Sequence, residues 1–334
     1  MPQISNTSPN FAELYVNVAS PRFGTRVVET SDDFFAAKER LIEDSEPVFI
    51  DDKYDDHGKW MDGWESRRRR DGGHDWCLIQ LGAPVRLHGV DINTAHFTGN
   101  FPPGASIEAC GIDASGHPDG KWIEILPRTN LSGNSHHILP IENDAVFSWV
   151  RLNIFPDGGV ARLRLYGEAM PDWDSLGDGK IELSALKNGG RVVTYNDAHY
   201  GNVWSVLAEN RGINMGDGWE TRRRRDPGND WIIIALGARG LVDNIEIDTA
   251  YYKGNFPDGA SLQAADLGND TDLDFAAISK DWSEIMPRQK LSADAIHHFD
   301  SNMISADEPV THIRLNIYPD GGVSRLRIFG KRCS

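Results

Sequence analysis

The sequence predicts an all-β protein made of two tandem jelly-roll β-sandwich domains, residues 1–170 and 171–334, each with a short helix. Three observations carry this. First, Asp62-Gly-Trp-Glu-Ser-Arg-Arg-Arg-Arg-Asp71 recurs as Asp217-Gly-Trp-Glu-Thr-Arg-Arg-Arg-Arg-Asp226, and Gly99–Ser106 recurs as Gly254–Ser261. Thirteen of eighteen positions also agree between 150–167 and 313–330. The offset grows from 155 to 163 residues, so the repeat is a duplicated domain carrying insertions, far longer than a solenoid unit. Second, the aliphatic periodicity is mostly two. Third, 33 Gly and 17 Pro cut the chain into short runs, the pattern of an antiparallel sandwich.

Val150, Leu152 and Ile154 alternate with Arg151, Asn153 and Phe155, while Leu163 and Leu165 alternate with Arg162, Arg164 and Tyr166. Such spacing puts aliphatics on one face of a strand and arginines on the other. Trp76–Leu81, Val85–Thr94, Ser106–Cys110, Trp122–Ile125 and Phe147–Phe155 read as further strands. Ser31 is positioned as N-cap of a helix over Asp32–Ile42, and its counterpart starts near Asn196. The domain boundary falls near Pro171–Gly179.

Composition excludes several functions. With Lys+Arg 34 against Asp+Glu 50 the net charge is −16, which opposes nucleic-acid binding because phosphate neutralisation needs surplus cations. No apolar run approaches the ~18 residues of a membrane span. Met1–Tyr15 lacks a basic n-region and an apolar h-region, and Lys331–Ser334 is no lipidation or retention signal. A cytoplasmic protein is expected. Three cysteines without close spacing do not read as a disulfide framework. Cys77 aligns with Ile232 and Cys110 with Ala265, so both read as packing residues.

The polar residues that stand out lie in or beside predicted loops. Four consecutive arginines cannot share one strand face, and their forks suit a carboxylate or a ureido oxygen, with Glu65, Asp71 and Asp75 to orient them. A salt-bridged structural loop is the competing reading. His74 and His96 occur in the first copy, where the second has Asn229 and Tyr251. Imidazole moves protons near neutrality and asparagine does not, so the first copy is the better place for proton transfer. His136-His137 and His297-His298 point to opposite faces of a strand, so a divalent metal needs His74, His96 or Asp75 to converge with one of them. The Pro-Asp-Gly-Gly turns at 156–159 and 319–322 are mainly turn chemistry.

DGWESRRRR…GHDW, DINTAHFTGNFPPGAS and RLNIFPDGGVARLRLYG together resemble the allantoicase (allantoate amidinohydrolase) family across nearly the whole chain. The resemblance implies two galactose-binding-like jelly rolls, homo-oligomers, and hydrolysis of allantoate to ureidoglycolate and urea in purine-derived nitrogen recovery. Gly73-His-Asp-Trp76 and Thr94-Ala-His-Phe97 keep the family pattern, whereas Gly228-Asn-Asp-Trp231 and Thr249-Ala-Tyr-Tyr252 depart from it. For such a small anionic ureido substrate, Arg67 or Arg68 with Arg128 is expected to hold the carboxylate. His96 or His74 transfers protons, Asp75 or Glu65 sets the imidazole tautomer, and Asn100 binds a ureido oxygen. A non-catalytic pair of lectin-like modules is the alternative, with Trp64 and Trp219 exposed beside polar loops to stack on sugar rings.

Overall fold

A computed structural model of the chain describes residues 11–177, 179–268 and 273–333. Most of the N-terminal segment and the last residue, read above for leader and tail signals, lie outside them. The chain divides into two compact units that meet between Met170 and Pro171.

In the first unit the strands are β1 (Val16–Asn17), β2 (Arg26–Thr30), β3 (Tyr54–Asp55), β4 (Gly58–Lys59), β5 (Trp64–Glu65) and β6 (Asp75–Asn93). After them come β7 (Gly104–Cys110), β8 (Ile123–Asn130), β9 (His136–Pro140), β10 (Val146–Phe155), β11 (Gly159–Val160) and β12 (Arg162–Ala169). The main sheet runs β1-β12-β6-β10-β7-β8, with β2 and β9 also bonded to β6. Every pairing is antiparallel, and the second unit repeats the same order, so the chain is a pair of β-sandwich repeats.

Strand β6 replaces the two strands read at Trp76–Leu81 and Val85–Thr94. Its first half pairs with β2 and β10, and its second half with β12 and β9 and, at Val85 and Arg86, with the start of β10. Gly82-Ala-Pro84 stays extended between them. A side chain at Gly82 would lie 2.0 Å from the Phe23 carbonyl, so glycine is required where the strand passes the 21–24 turn.

The expected Asp32–Ile42 helix is reduced to a 3₁₀ turn, Lys38–Ile42. The backbone N–H groups of Phe35 and Ala36 both donate to the Glu65 carbonyl, and Ser31 Oγ donates to Asp75 Oδ1 instead of capping. Pairing with β5 therefore takes the donors a helix would need. The second copy behaves alike, with a 3₁₀ turn at Val203–Leu207 capped by Asn202.

The inward rows of β6, β7, β10 and β12 form the core, with Cys77, Ile79, Ile107, Val150, Leu152 and Leu163 fully enclosed. Cys77 and Cys110 are buried thiols, and burial pushes the Cys110 thiol up to about 11. Arg162 contradicts the strand alternation that placed it on a solvent face. It is fully buried, because the 43–62 segment wraps over that face and supplies acceptors: Asp62 Oδ2 at 2.9 Å, Ser45 O at 2.8 Å and Asp62 O at 3.2 Å.

Candidate active site

The turn after β10 organises one end of the first sandwich. Asp157 Oδ2 accepts from Arg69 N at 2.8 Å, the Gly158 carbonyl from Ser66 N at 3.2 Å, and Gly159 N donates to Asn100 O at 2.7 Å. A Cβ on Gly159 would sit 2.0 Å from the Phe97 ring, and Gly158 has φ +137° with backbone atoms 2.7 Å from its missing Cβ. The turn thus docks directly against both the arginine run and the Gly99-Asn100 loop, which is why it admits no side chain there.

Two cavities flank the start of β6, where consecutive side chains point to opposite sides. The first, about 520 Å³, is a bowl lined by Ser31, Asp32, Arg67–Arg70, Asp71 and Asp75. Arg67 grips Asp32 through Nε (2.7 Å) and Nη2 (2.6 Å). Burial raises the Asp32 carboxyl, but the side-chain and backbone bonds from Arg67 outweigh it and hold the group below its usual range. Arg69 takes Asp71 on its Nε/Nη2 edge, both bonds 2.9 Å, and Asp75 on Nη1 at 2.6 Å. That bidentate bond keeps Asp71 well below the carboxylate norm. Arg68 and Arg70 are exposed at the rim.

The second cavity is a slot of about 410 Å³ on the outer sheet face, lined by His74, Trp76, Ser106, Glu108, Glu124, Arg151, Asn153 and Phe155. Arg151 donates to Glu108 Oε2 through Nε (2.9 Å) and Nη2 (2.6 Å). Asn153 Nδ2 donates to the same oxygen at 3.0 Å, which turns its Oδ1 towards His74 Nε2 at 3.3 Å. An amide oxygen only accepts, so His74 Nε2 carries the proton and Nδ1 keeps a lone pair. Arg128 stacks over the Phe155 ring at 4.5 Å on the slot's edge, with its guanidinium exposed.

A sequence profile described as the allantoicase repeat matches residues 16–170 and again 181–333. A probable allantoicase of Burkholderia mallei is 50% identical over 332 residues, covering 99% of this chain and 98% of that protein. Another, from Pseudomonas fluorescens, is 51% identical over 322 residues, covering 96% and 97%. The crystal structure of allantoicase from Saccharomyces cerevisiae superposes with TM-score 0.80 at 33% identity, covering 95% of this chain and 93% of that one. The chain belongs to the allantoicase family.

Measured against this allantoicase fold, the site residues expected from sequence divide into groups. His74 lines the slot with Arg128 at its edge, while Arg67, Arg68 and Asp75 line the bowl. Asp75 does not orient the imidazole: its Oδ1 is held by Arg69 and Ser31, and Asn153 takes that role. Glu65 does not either, since its Oε1 accepts from Asn100 Nδ2 at 2.7 Å. Burial pushes the Glu65 carboxyl up, and the Asn100 bond offsets part of this. Asn100 spends its amide donor in that pair. His96 sits at φ +68° with Nε2 donating to Pro47 O at 3.1 Å and its ring on Phe49, and it lines neither cavity. Trp64 and Trp219, expected to be exposed stacking platforms, are fully buried. Each indole N–H donates at 2.8 Å to a backbone carbonyl, of Asp32 and of Asp197.

Among the described residues no group of three or more His, Cys, Asp or Glu side chains is placed to hold a metal ion. His136 Nδ1 binds Asp91 at 2.6 Å, and His137 bridges Ile92 O and Ser132 N. His297 makes the same bridge in the second repeat, between Ile247 O and Ser292 N, so this histidine pins a loop.

Glu108 and Arg151 were missed by sequence reasoning. The signal was present: Ser106 and Glu108 share a face by period two, and the aligned pair in the second repeat is Ser261 and Gln263. The second slot is also closed. Arg314, the counterpart of Arg151, is buried against Asn316 Oδ1 (2.9 Å) and Ser279 Oγ (2.6 Å). Gln263 donates to the carbonyls of Lys280 and Trp282, and Phe275 and Trp282 pack with Ile233 over the face that is open in the first repeat. The helix Phe275–Ile278 and turn Ser279–Asp281 that do this have no counterpart among the described residues of the first unit.

Proposed function

We propose that this chain hydrolyses allantoate to ureidoglycolate and urea, and that the first-repeat slot is where it does so. Full-length similarity to allantoicases supports the reaction. The observation that carries the location is the Glu108–Asn153–His74 line in a slot that is open in one repeat and, in the other, neutralised and filled.

Allantoate bears a carboxylate and two ureido groups on one carbon. The exposed Arg128 guanidinium meets the carboxylate, while Glu108, Glu124 and Ser106 offer acceptors to ureido N–H groups. Cleavage breaks the bond between the central carbon and one ureido nitrogen. That nitrogen must gain a proton, water must lose one, and the hydroxyl oxygen bonds to the carbon. His74 Nδ1, which holds a lone pair, can take the proton from water and then deliver it to that nitrogen, ending as it began, while Nε2 stays on Asn153. Such placement contributes roughly 10²–10⁴-fold. In this reading the enzyme is a cytoplasmic homo-oligomer acting on a small anionic ureido acid.

Urea release from allantoate by the purified protein, compared with His74→Asn, tests the assignment. The variant copies the second repeat, where Asn229 Nδ2 donates to Asn316 Oδ1 at 3.2 Å, so folding is retained. Turnover should fall at least a hundredfold at an unchanged melting temperature. Turnover close to the parent removes His74 from the mechanism.

A further inference from the structure

The arginine bowl lies outside the slot, and it occurs twice. In the second repeat it encloses about 390 Å³ and is lined by Asn196, Asp197, Arg222–Arg225, Asp226 and Asp230. Much of the lattice is reproduced. Arg222 pairs with Asp197 (3.1 Å), Arg224 Nη1 with Asp230 (3.2 Å), and Arg224 N donates to Asp320 (2.8 Å).

One bond pair is missing. In the first repeat the Nε/Nη2 edge of Arg69 is filled by the Asp71 carboxylate. The same edge of Arg224 has no such partner, and its Nε is buried without any acceptor. The cause lies in the backbone. Asp71 folds back through Gly72 at φ +75°, and Gly73 N donates to Asp71 Oδ1 at 3.1 Å. Position 227 is proline, whose ring locks φ near −65°, so this turn is denied to Asp226. Gly228 instead takes the positive angle, at φ +131°. Asp226 is exposed, and Arg223 and Arg225 stand exposed beside it.

We propose that the second repeat's bowl binds a small carboxylate, held by the exposed guanidiniums of Arg223 and Arg225 above Arg224, whose Nε/Nη2 edge lacks the carboxylate that Asp71 supplies in the first repeat. A bowl with an unsatisfied guanidinium donor favours a further acceptor, and a planar carboxylate makes charge-assisted fork bonds with guanidiniums of the kind seen at Arg69. Four guanidiniums against three carboxylates line the bowl, so it admits one further negative charge. Arg223 and Arg225 at the rim supply attraction within a chain of net charge −16. The site is non-hydrolytic, since Asn229 replaces the histidine beside it and the adjoining slot is filled.

Calorimetric titration of the His74→Asn full chain with allantoate tests this alongside the slot assignment. Two molecules per chain are expected, one in the slot and one in the second bowl. Adding Pro227→Gly lets Asp226 close onto Arg224 and should leave one site. Adding Arg128→Ala to the His74→Asn chain should remove the other site and spare the bowl. With His74 intact, Pro227→Gly should release urea at the parent rate. Arg223→Ala, which disturbs no bond of the lattice, should weaken the bowl at least tenfold. A single site that survives Pro227→Gly and disappears with Arg128→Ala overturns this inference and leaves the slot standing. A single site lost with Pro227→Gly and unaffected by Arg128→Ala supports the bowl and overturns the slot. No binding at all overturns both.

Discussion

Asn153 has an acceptor at one end of its amide and a donor at the other, and Glu108 decides which faces His74. Replacing Glu108 by Gln leaves an acceptor for Nδ2 but removes the charge that holds Arg151 and lies near the imidazole. Burial raises the Glu108 carboxyl, yet the Asn153 and Arg151 bonds outweigh it, so the group is ionised at working pH. Glu108→Gln should lower kcat roughly tenfold or more and raise KM as well, because an acceptor for the ureido N–H groups is lost with the charge. It should also move the acidic limb of the pH–rate profile to lower pH, which loss of packing alone would not do. His96→Ala, by contrast, breaks contacts to Pro47 and Phe49 and should leave urea release near the parent rate. At this scale the sequence distinguished His74 and His96 equally, since both are absent from the second repeat. Which histidine faces a cavity depends on where the 47–49 loop and β10 come to rest, and no local pattern encodes that.

Elements show the same division. The period-two rows of β7, β10 and β12 and the glycines at 158 and 159 were readable, because side-chain alternation and turn geometry are local. The helix over 32–42 was not. Its periodicity was genuine, for Leu41 and Ile42 are buried, but pairing of Phe35 and Ala36 with Glu65 competes for its donors. Arg162 is the sharpest case, a charged residue in an outward register that the 43–62 segment buries against Asp62. Arg325 and Asp217 repeat the pair at 3.0 Å. Arg162→Met leaves Asp62 buried without its counter-charge and should cost about 3–5 kcal/mol in chemical denaturation. A loss under 1 kcal/mol would mean that the wrapped segment relaxes to hydrate Asp62.

For the whole molecule, the two repeats are expected to respond differently to acid. His312 occupies the position of Trp149, against Phe275 and the Trp282 ring, and its Nε2 has no partner. Burial drives its imidazole down to about 4. Near neutrality the group is uncharged in both folded and unfolded chains. As pH falls below about 6.5 the unfolded chain gains a proton that the folded one refuses, so stability drains until about pH 4, by up to ~3 kcal/mol. Urea midpoints at pH 7.5 and 4.5 should fall further for the parent than for His312→Phe, and equal losses would clear His312. The sequence by itself determined that there are two copies of one β-sandwich, that the chain belongs with the allantoicases, and that the first copy holds the histidines. Repetition, alternation and turn residues are properties of neighbouring positions, legible one stretch at a time. Only the tertiary structure decided which polar groups meet. Glu108 and Asn153 come from two strands and His74 from the loop that leads into a third, and Pro227 matters because of a bond that Asp226 cannot reach. Those outcomes depend on register and on wrapping between distant segments, where a shift of one residue turns every side chain to the other face.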